Sequence, residues 1–145
     1  MITVDFDLVS EWVSERTGCT IPREGTAIGW EREGKLVAGV MYEDFTGTCI
    51  TATIAIEEGS TVPRGFIQKI FDYPFNQLLC RKILACVEQT NEASRRLVER
   101  MGFVKEAVIF DAFPDGAMII YSVTPETSRY LEKAHGQESK DGSNS

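Results

Sequence analysis

The decapeptide EEGSTVPRGF, Glu57 to Phe66, lies between a run that reads as a strand and a run that reads as a helix. It carries the residue types that anion binding uses. A helix beginning near Thr61 to Arg64 offers its dipole, the hydroxyls of Ser60 and Thr61, and the guanidinium of Arg64. The plainer reading is a turn with a capped helix start, and residue types alone leave both open. A second stretch, TNEASRRLVERMG, supplies Asn91 as an N-cap, Ser94 in the first turn and Gly102 just past the helix end. Other chemistries lack their residues. The one histidine, His135, lies in a polar tail, so zinc sites and histidine triads have no usual ligand or base. Cys19, Cys49, Cys80 and Cys86 show no C-x-x-C spacing and read as free thiols of a reducing compartment.

A chain of 145 residues with 43% hydrophobic residues is the size of one domain with one core. Its 22 acidic and 15 basic residues leave a net charge of −7, which disfavours nucleic acid and anionic membranes and suits a cationic partner. The N-terminal residues MITVDFDLVSEW carry acids where a signal peptide carries bases, and no apolar run reaches membrane-spanning length. The expected location is the cytoplasm, with no membrane partner.

The elements follow from periodicity and punctuation. Leu8, Val9, Trp12 and Val13 recur at helical spacing, with Ser10, Glu11 and Glu15 facing away and Gly18 ending the helix. Ala27 to Glu33, Lys35 to Glu43 and Cys49 to Glu57 read as three meander strands. Pro63 to Leu79 carries an apolar helical stripe, and Pro74 removes one backbone donor, which predicts a kink between Ile70 and Pro74. KILACVE, Lys82 to Glu88, reads as a strand covered on both faces. The helix TNEASRRLVERMG follows, then strands Phe103 to Asp111 and Ala117 to Val123 joined across AFPDG. Residues 1–125 therefore form a single domain, 126–134 a short C-terminal helix, and 135–145 a disordered tail. This order predicts an α/β sandwich with a mixed sheet.

At NEASRRLVERMGFVKEA, the set Asn91-x-x-Ser94, Leu97, Gly102-Phe103 and Glu106 resembles the second sequence motif of the GNAT superfamily of acyl-CoA-dependent N-acyltransferases. The pattern is most similar to the branch that acetylates ribosomal-protein N-termini. FDYPFNQLL before KILACVE resembles that family's cofactor helix and following strand, and the element order matches from Ile2 to Val123. The fold so implied is an α/β, GNAT-like three-layer sandwich whose mixed central sheet splays between the family's fourth and fifth strands, here Cys49 to Glu57 and Lys82 to Glu88. The implied activity is transfer of an acetyl group from acetyl-CoA to a primary amine, on a small molecule or a protein N-terminus, by direct attack. A homodimer stays open.

The resemblance also implies roles. Pantetheine amides would bond the backbone of Ile54, Ala55 and Ile56, as an added strand would. A carboxylate would accept the amine proton, and strand alternation puts Glu57 on the more polar face with Thr51, Thr53 and Ala55. The family's usual tyrosine acid falls at Val98, so Ser94 is the implied donor to the leaving thiolate, and Asn91 and Ser94 would also meet the cofactor. Tyr42, Glu43, Asp44, Asp111 and Asp115 could line an amine pocket. The pyrophosphate loop is degenerate. One register sets Glu58 at its basic or amide position, Thr61 at its glycine and Pro63 at its small final residue; a later register recovers Gly65 but sets Pro63 at the first glycine. Phosphate binding would then rest on the helix start, Ser60, Thr61, Arg64 and Gly65. Two alternatives follow: a GNAT-fold interaction module without catalysis, and acylation of a nucleic-acid amine through a basic patch of Arg81, Lys82, Arg95, Arg96 and Arg100.

Overall fold

The structure, a computed structural model, describes residues 1–130. Strand β1 (Ile2–Thr3) is followed by α1 (Phe6–Thr17), the meander β2 (Thr26–Arg32), β3 (Lys35–Glu43) and β4 (Cys49–Ile56), then α2 (Arg64–Asp72). A single π-helical turn, Tyr73–Gln77, leads to β5 (Lys82–Glu88), α3 (Glu92–Arg100), β6 (Val104–Phe113) and β7 (Gly116–Val123). The seven strands form one sheet in the order β1-β2-β3-β4-β5-β7-β6. Only the β4 and β5 pair is parallel.

Helix α1 starts where Asp5 accepts the Leu8 N–H at 3.1 Å and stops at Gly18, whose φ of 78° suits a residue without Cβ. It packs on β2, β3 and β4 through Val9 and Val13, both fully buried. Gly39 permits this approach, because a Cβ there would stand 2.9 Å from Val13 and 3.0 Å from Val9. Ser10, expected to face solvent, is buried instead. Its hydroxyl donates to the Phe6 carbonyl at 2.6 Å, which satisfies it inside the helix while Leu8 takes the exposed position.

The other face of the sheet carries α2 and α3. Phe66, Ile70, Phe71, Val98 and Met101 join Val40, Ile54, Ile83, Ala85, Ile119 and Tyr121 in one core. The expected kink at Pro74 takes the form of a π turn, in which Leu78 N–H bonds the Tyr73 carbonyl at 3.0 Å. Pro74 offers no N–H to the carbonyl four residues earlier, at Ile70. The fully buried Tyr42 hydroxyl donates to that oxygen at 2.7 Å, so the proline's missing donor is replaced from β3.

Two elements differ from their sequence reading. The two-residue β1 pairs Ile2 with Trp30 and Thr3 with Gly29, too short a strand for periodicity to mark. Strand β5 is covered on one face only: Ile83, Ala85 and Val87 are buried while Lys82, Leu84, Cys86 and Glu88 are half-buried, because α1 does not reach that far. At the end of the described chain Pro125 to Thr127 form a turn, with Thr127 N–H on the Thr124 carbonyl at 3.1 Å. The rest of the expected C-terminal helix, and the tail with His135, lie outside the described residues.

Candidate active site

Strands β4 and β5 run together for three residue pairs, Cys49 with Lys82, Ile50 with Ile83 and Thr51 with Leu84, and then separate. On its far side β4 stays paired with β3 through Ile56. From Ala52 onward the edge of β4 that turns toward β5 therefore has no strand partner. A backbone edge of this kind can take up amide groups of an extended ligand as another strand would.

A cleft occupies the gap. On the α2 and α3 side its volume is about 600 Å³, bounded by Ile54 to Val62 of β4 and the loop after it, Asn91 to Met101 along α3, and Tyr130. A second cavity of about 490 Å³ opens toward the end of α1, where Glu43, Asp44, Thr51, Thr53, Cys86, Glu88 and Phe113 bound it, and reaches through the splay to Ala52, Ala85, Val87 and Val98. Thr17, Ile54, Asn91 and Ser94 line both, so the two halves meet through the splay.

The halves differ in charge. Arg16, Arg96 and Arg100 line the first together with Glu57 and Glu58, Arg96 also approaching Glu92 at 3.6 Å. Glu43, Asp44 and Glu88 line the second. Burial raises the Glu43 carboxyl above the ordinary carboxylate range, and the neighbouring Asp44 charge adds to the effect. Burial also raises the Cys86 thiol, followed by Cys19, Glu43 and Asp44, so the thiolate is disfavoured on this wall.

The site residues expected from sequence divide clearly. Ile54, Ala55, Ile56, Glu57, Ser60, Thr61, Asn91 and Ser94 all line the first half. Asn91 Oδ1 accepts the Ser94 N–H at 3.1 Å, fixing the first turn of α3 at the junction. Arg64 and Gly65 stand at the start of α2 but outside the lining. The Arg64 guanidinium lies 5.3 Å from the Tyr130 ring centroid and donates to the Arg129 carbonyl at 3.4 Å. Glu57 is bound by Arg16, whose Nε is 3.0 Å from its Oε1 and whose guanidinium stacks 3.9 Å over Trp12. Of the amine-pocket candidates Glu43 and Asp44 reach the second half. Tyr42 points the other way into the core, and Asp111 and Asp115 are exposed beyond the lining.

The five cations read as a basic patch are dispersed. Lys82 bonds Glu106 at 2.9 Å on the uncovered face, and Arg95 donates to the Tyr121 hydroxyl at 3.3 Å and the Gln89 carbonyl at 3.1 Å. Burial raises the Tyr121 hydroxyl pKa, and its own 2.6 Å bond to Glu99 adds to the rise. Arg96 and Arg100 belong to the cleft. Sequence reasoning missed Cys86 and Glu88, although they alternate with Ala85 and Val87 and so mark one face of β5.

No family model and no curated protein matches the sequence. Solved structures do match. The F149A variant of the spermidine N-acetyltransferase SpeG from Vibrio cholerae aligns with a TM-score of 0.70 at 17% identity, covering 92% of this chain and 99% of that one. An acetyltransferase of the GNAT family from Bacillus anthracis aligns with a TM-score of 0.63 at 14% identity, over 86% and 95% of the two chains. The chain has the GNAT fold. It spans 64% of the length of a probable acetyltransferase, with a TM-score of 0.61, 21% identity and 72% of this chain covered. It spans the same share of the ribosomal-protein-S5-alanine acetyltransferase of Vibrio fischeri, with a TM-score of 0.57, 18% identity and 74% of this chain covered. The seven-stranded mixed sheet and its splay are the GNAT-like sandwich that the motif from Asn91 to Phe103 implied. Among the described residues no helix is long and apolar enough to cross a membrane, and no group of three or more potential ligands could hold a metal ion.

Proposed function

We propose that this chain is an acyl-CoA-dependent N-acyltransferase that moves an acetyl group from acetyl-CoA to a primary amine by direct attack. One observation carries the reading: after Thr51 the strand β4 leaves β5, and the open edge lies between a cavity lined by three arginines and two glutamates and a cavity whose charged lining residues are all carboxylates. The pantetheine amides of acetyl-CoA match the free edge at Ile54, Ala55 and Ile56, and its phosphates match Arg96, Arg100, Ser60 and Thr61. Arg64 and Gly65 contribute the open start of α2, where Pro63 is an N-cap without a side-chain bond. Ser94, which lines both halves, would protonate the leaving thiolate, and the raised Cys86 thiol argues against an acyl-cysteine route.

The carboxylates of the second half suit a cationic acceptor, either a small amine or a protein N-terminus. Spermidine and an S5 alanine terminus, which the names of similar structures mention, are reasonable first probes. Four free thiols fit a cytoplasmic setting.

The test is thermal unfolding and calorimetry with acetyl-CoA, followed by an amine panel of a diamine, spermidine and an alanine-initiated peptide. At a hundred times Kd, acetyl-CoA should add about 2.7 kcal/mol of stability. Binding with acetylation of a panel member supports the reading. Absence of binding overturns it in favour of a GNAT-fold interaction module.

A further inference from the structure

Resting on the transferase reading above, we propose that Glu43 is the group that takes the proton from the attacking amine. Its position follows from strand alternation. On β3 the side chains of Met41 and Glu43 share the α1 face; Met41 is fully buried with Val9 and Val13, but α1 ends at Thr17 and Glu43 meets the cavity. Register adds a second constraint. Glu43 is paired with Thr51, and Thr51 with Leu84, in the last row before the sheet opens. Glu43 therefore sits one strand from the apex of the splay, on the side away from the arginine-lined half.

Its surroundings suit a proton acceptor. Glu43 is half-buried and has no ion-pair partner among the described residues, whereas Glu57 is held by Arg16 at 3.0 Å. Among the described residues, the titratable groups around it are Tyr42 and Asp44 beside it, Cys19 after α1, Cys86 and Glu88 from β5, and Glu24 and Tyr73 across the end of β3. No arginine or lysine is among them. Burial and Asp44 both raise the carboxyl, which makes its anion a better base near neutral pH.

The balanced step is simple. The bound ammonium gives one proton to the Glu43 carboxylate, and the neutral nitrogen attacks the thioester carbonyl carbon. The C–N bond forms as the C–S bond breaks, and the second proton of the nitrogen goes to the thiolate. The products are the amide and the CoA thiol, and Glu43 returns its proton to solvent.

The experiment is kcat/KM against pH at saturating acetyl-CoA, with spermidine and an alanine-initiated peptide as acceptors, together with calorimetry of acetyl-CoA. Wild type should show an acid-side inflection shifted upward from an ordinary glutamate. Glu43→Gln should lower kcat/KM by roughly 10²-fold and lose that inflection, with acetyl-CoA affinity kept. Asp44→Asn should move the inflection to lower pH, because one negative charge near Glu43 is gone. Glu57→Gln should keep it. An unchanged pH profile in Glu43→Gln overturns the assignment and leaves the transferase reading standing, as does equal loss of acetyl-CoA binding and rate. Wild-type protein that binds no acetyl-CoA in the calorimetry overturns the transferase reading, and this assignment with it.

Discussion

Helices α2 and α3 close one face of the sheet from β3 to β7, whereas α1 closes the other only from β2 to β4. On β5 the contrast is a matter of alternate residues. Ile83, Ala85 and Val87 are buried toward the core, the last two also reaching the cavity, while Leu84, Cys86 and Glu88 are half-buried on the open face, where Cys86 and Glu88 border the cavity. The closed face carries the apolar burial that holds the domain together. The candidate site lies along the border where the helical cover stops and the sheet splits. There, the Glu43 carboxylate is partly desolvated without being sealed in, which is the condition for a raised pKa that still exchanges protons with water.

If the closed face holds the fold, its core changes should cost stability first. Phe71→Ala removes a fully buried ring packed against Phe103 and Tyr130 and should destabilise by about 3–5 kcal/mol, read from urea unfolding. A loss below about 1 kcal/mol would show that this face carries less than its packing suggests. Tyr42→Phe leaves the Ile70 carbonyl without a donor and should cost about 1–3 kcal/mol, with the π turn gaining hydrogen-exchange lability. On the open face, Lys82→Met breaks a bond between partly exposed groups and should change stability by less than about 1 kcal/mol, with the difference shrinking in high salt. The smallest effect has its own sign. Because Glu43 is raised in the folded state, its ionisation works against folding above that pKa. Glu43→Gln should therefore raise Tm slightly at pH 7, an advantage that fades as pH falls through the folded and then the unfolded carboxyl pKa. A lower Tm at pH 7 would mean that Glu43 supports the fold instead.

Much of the architecture was legible in local pattern. Gly18 and Gly102 mark two helix ends, Asn91 caps α3 as its side-chain chemistry requires, and the meander and final hairpin follow their turn residues. Other elements depended on partners distant in the chain. Pro74 shows in the sequence that a donor is missing, but not that Tyr42 would replace it from a strand some thirty residues earlier. KILACVE reads as covered on both faces because its apolar content is high; the length of α1 leaves one of those faces open.

The site divides in the same way. The loop EEGSTVPRGF was recognisable as a poor glycine nest, and Ser60 and Thr61 do border the cleft. Arg64 looked like the available cation because it is adjacent in sequence, yet its guanidinium turns to Tyr130 and Arg129. Arg96 and Arg100 read as an exposed helix face and are exposed, and they also border the cleft, because the splay of β4 from β5 leaves α3 as one wall.

By itself the sequence determined the order of the main elements, the capped α3 motif and the acidic character of the chain, since these depend on side-chain chemistry and on neighbours within a few residues. The tertiary structure alone decided which charges meet. Whether a glutamate ends in an ion pair, as Glu57 does with Arg16, or beside a cavity with no ion-pair partner among the described residues, as Glu43 does, depends on where a helix from elsewhere in the chain stops covering the sheet.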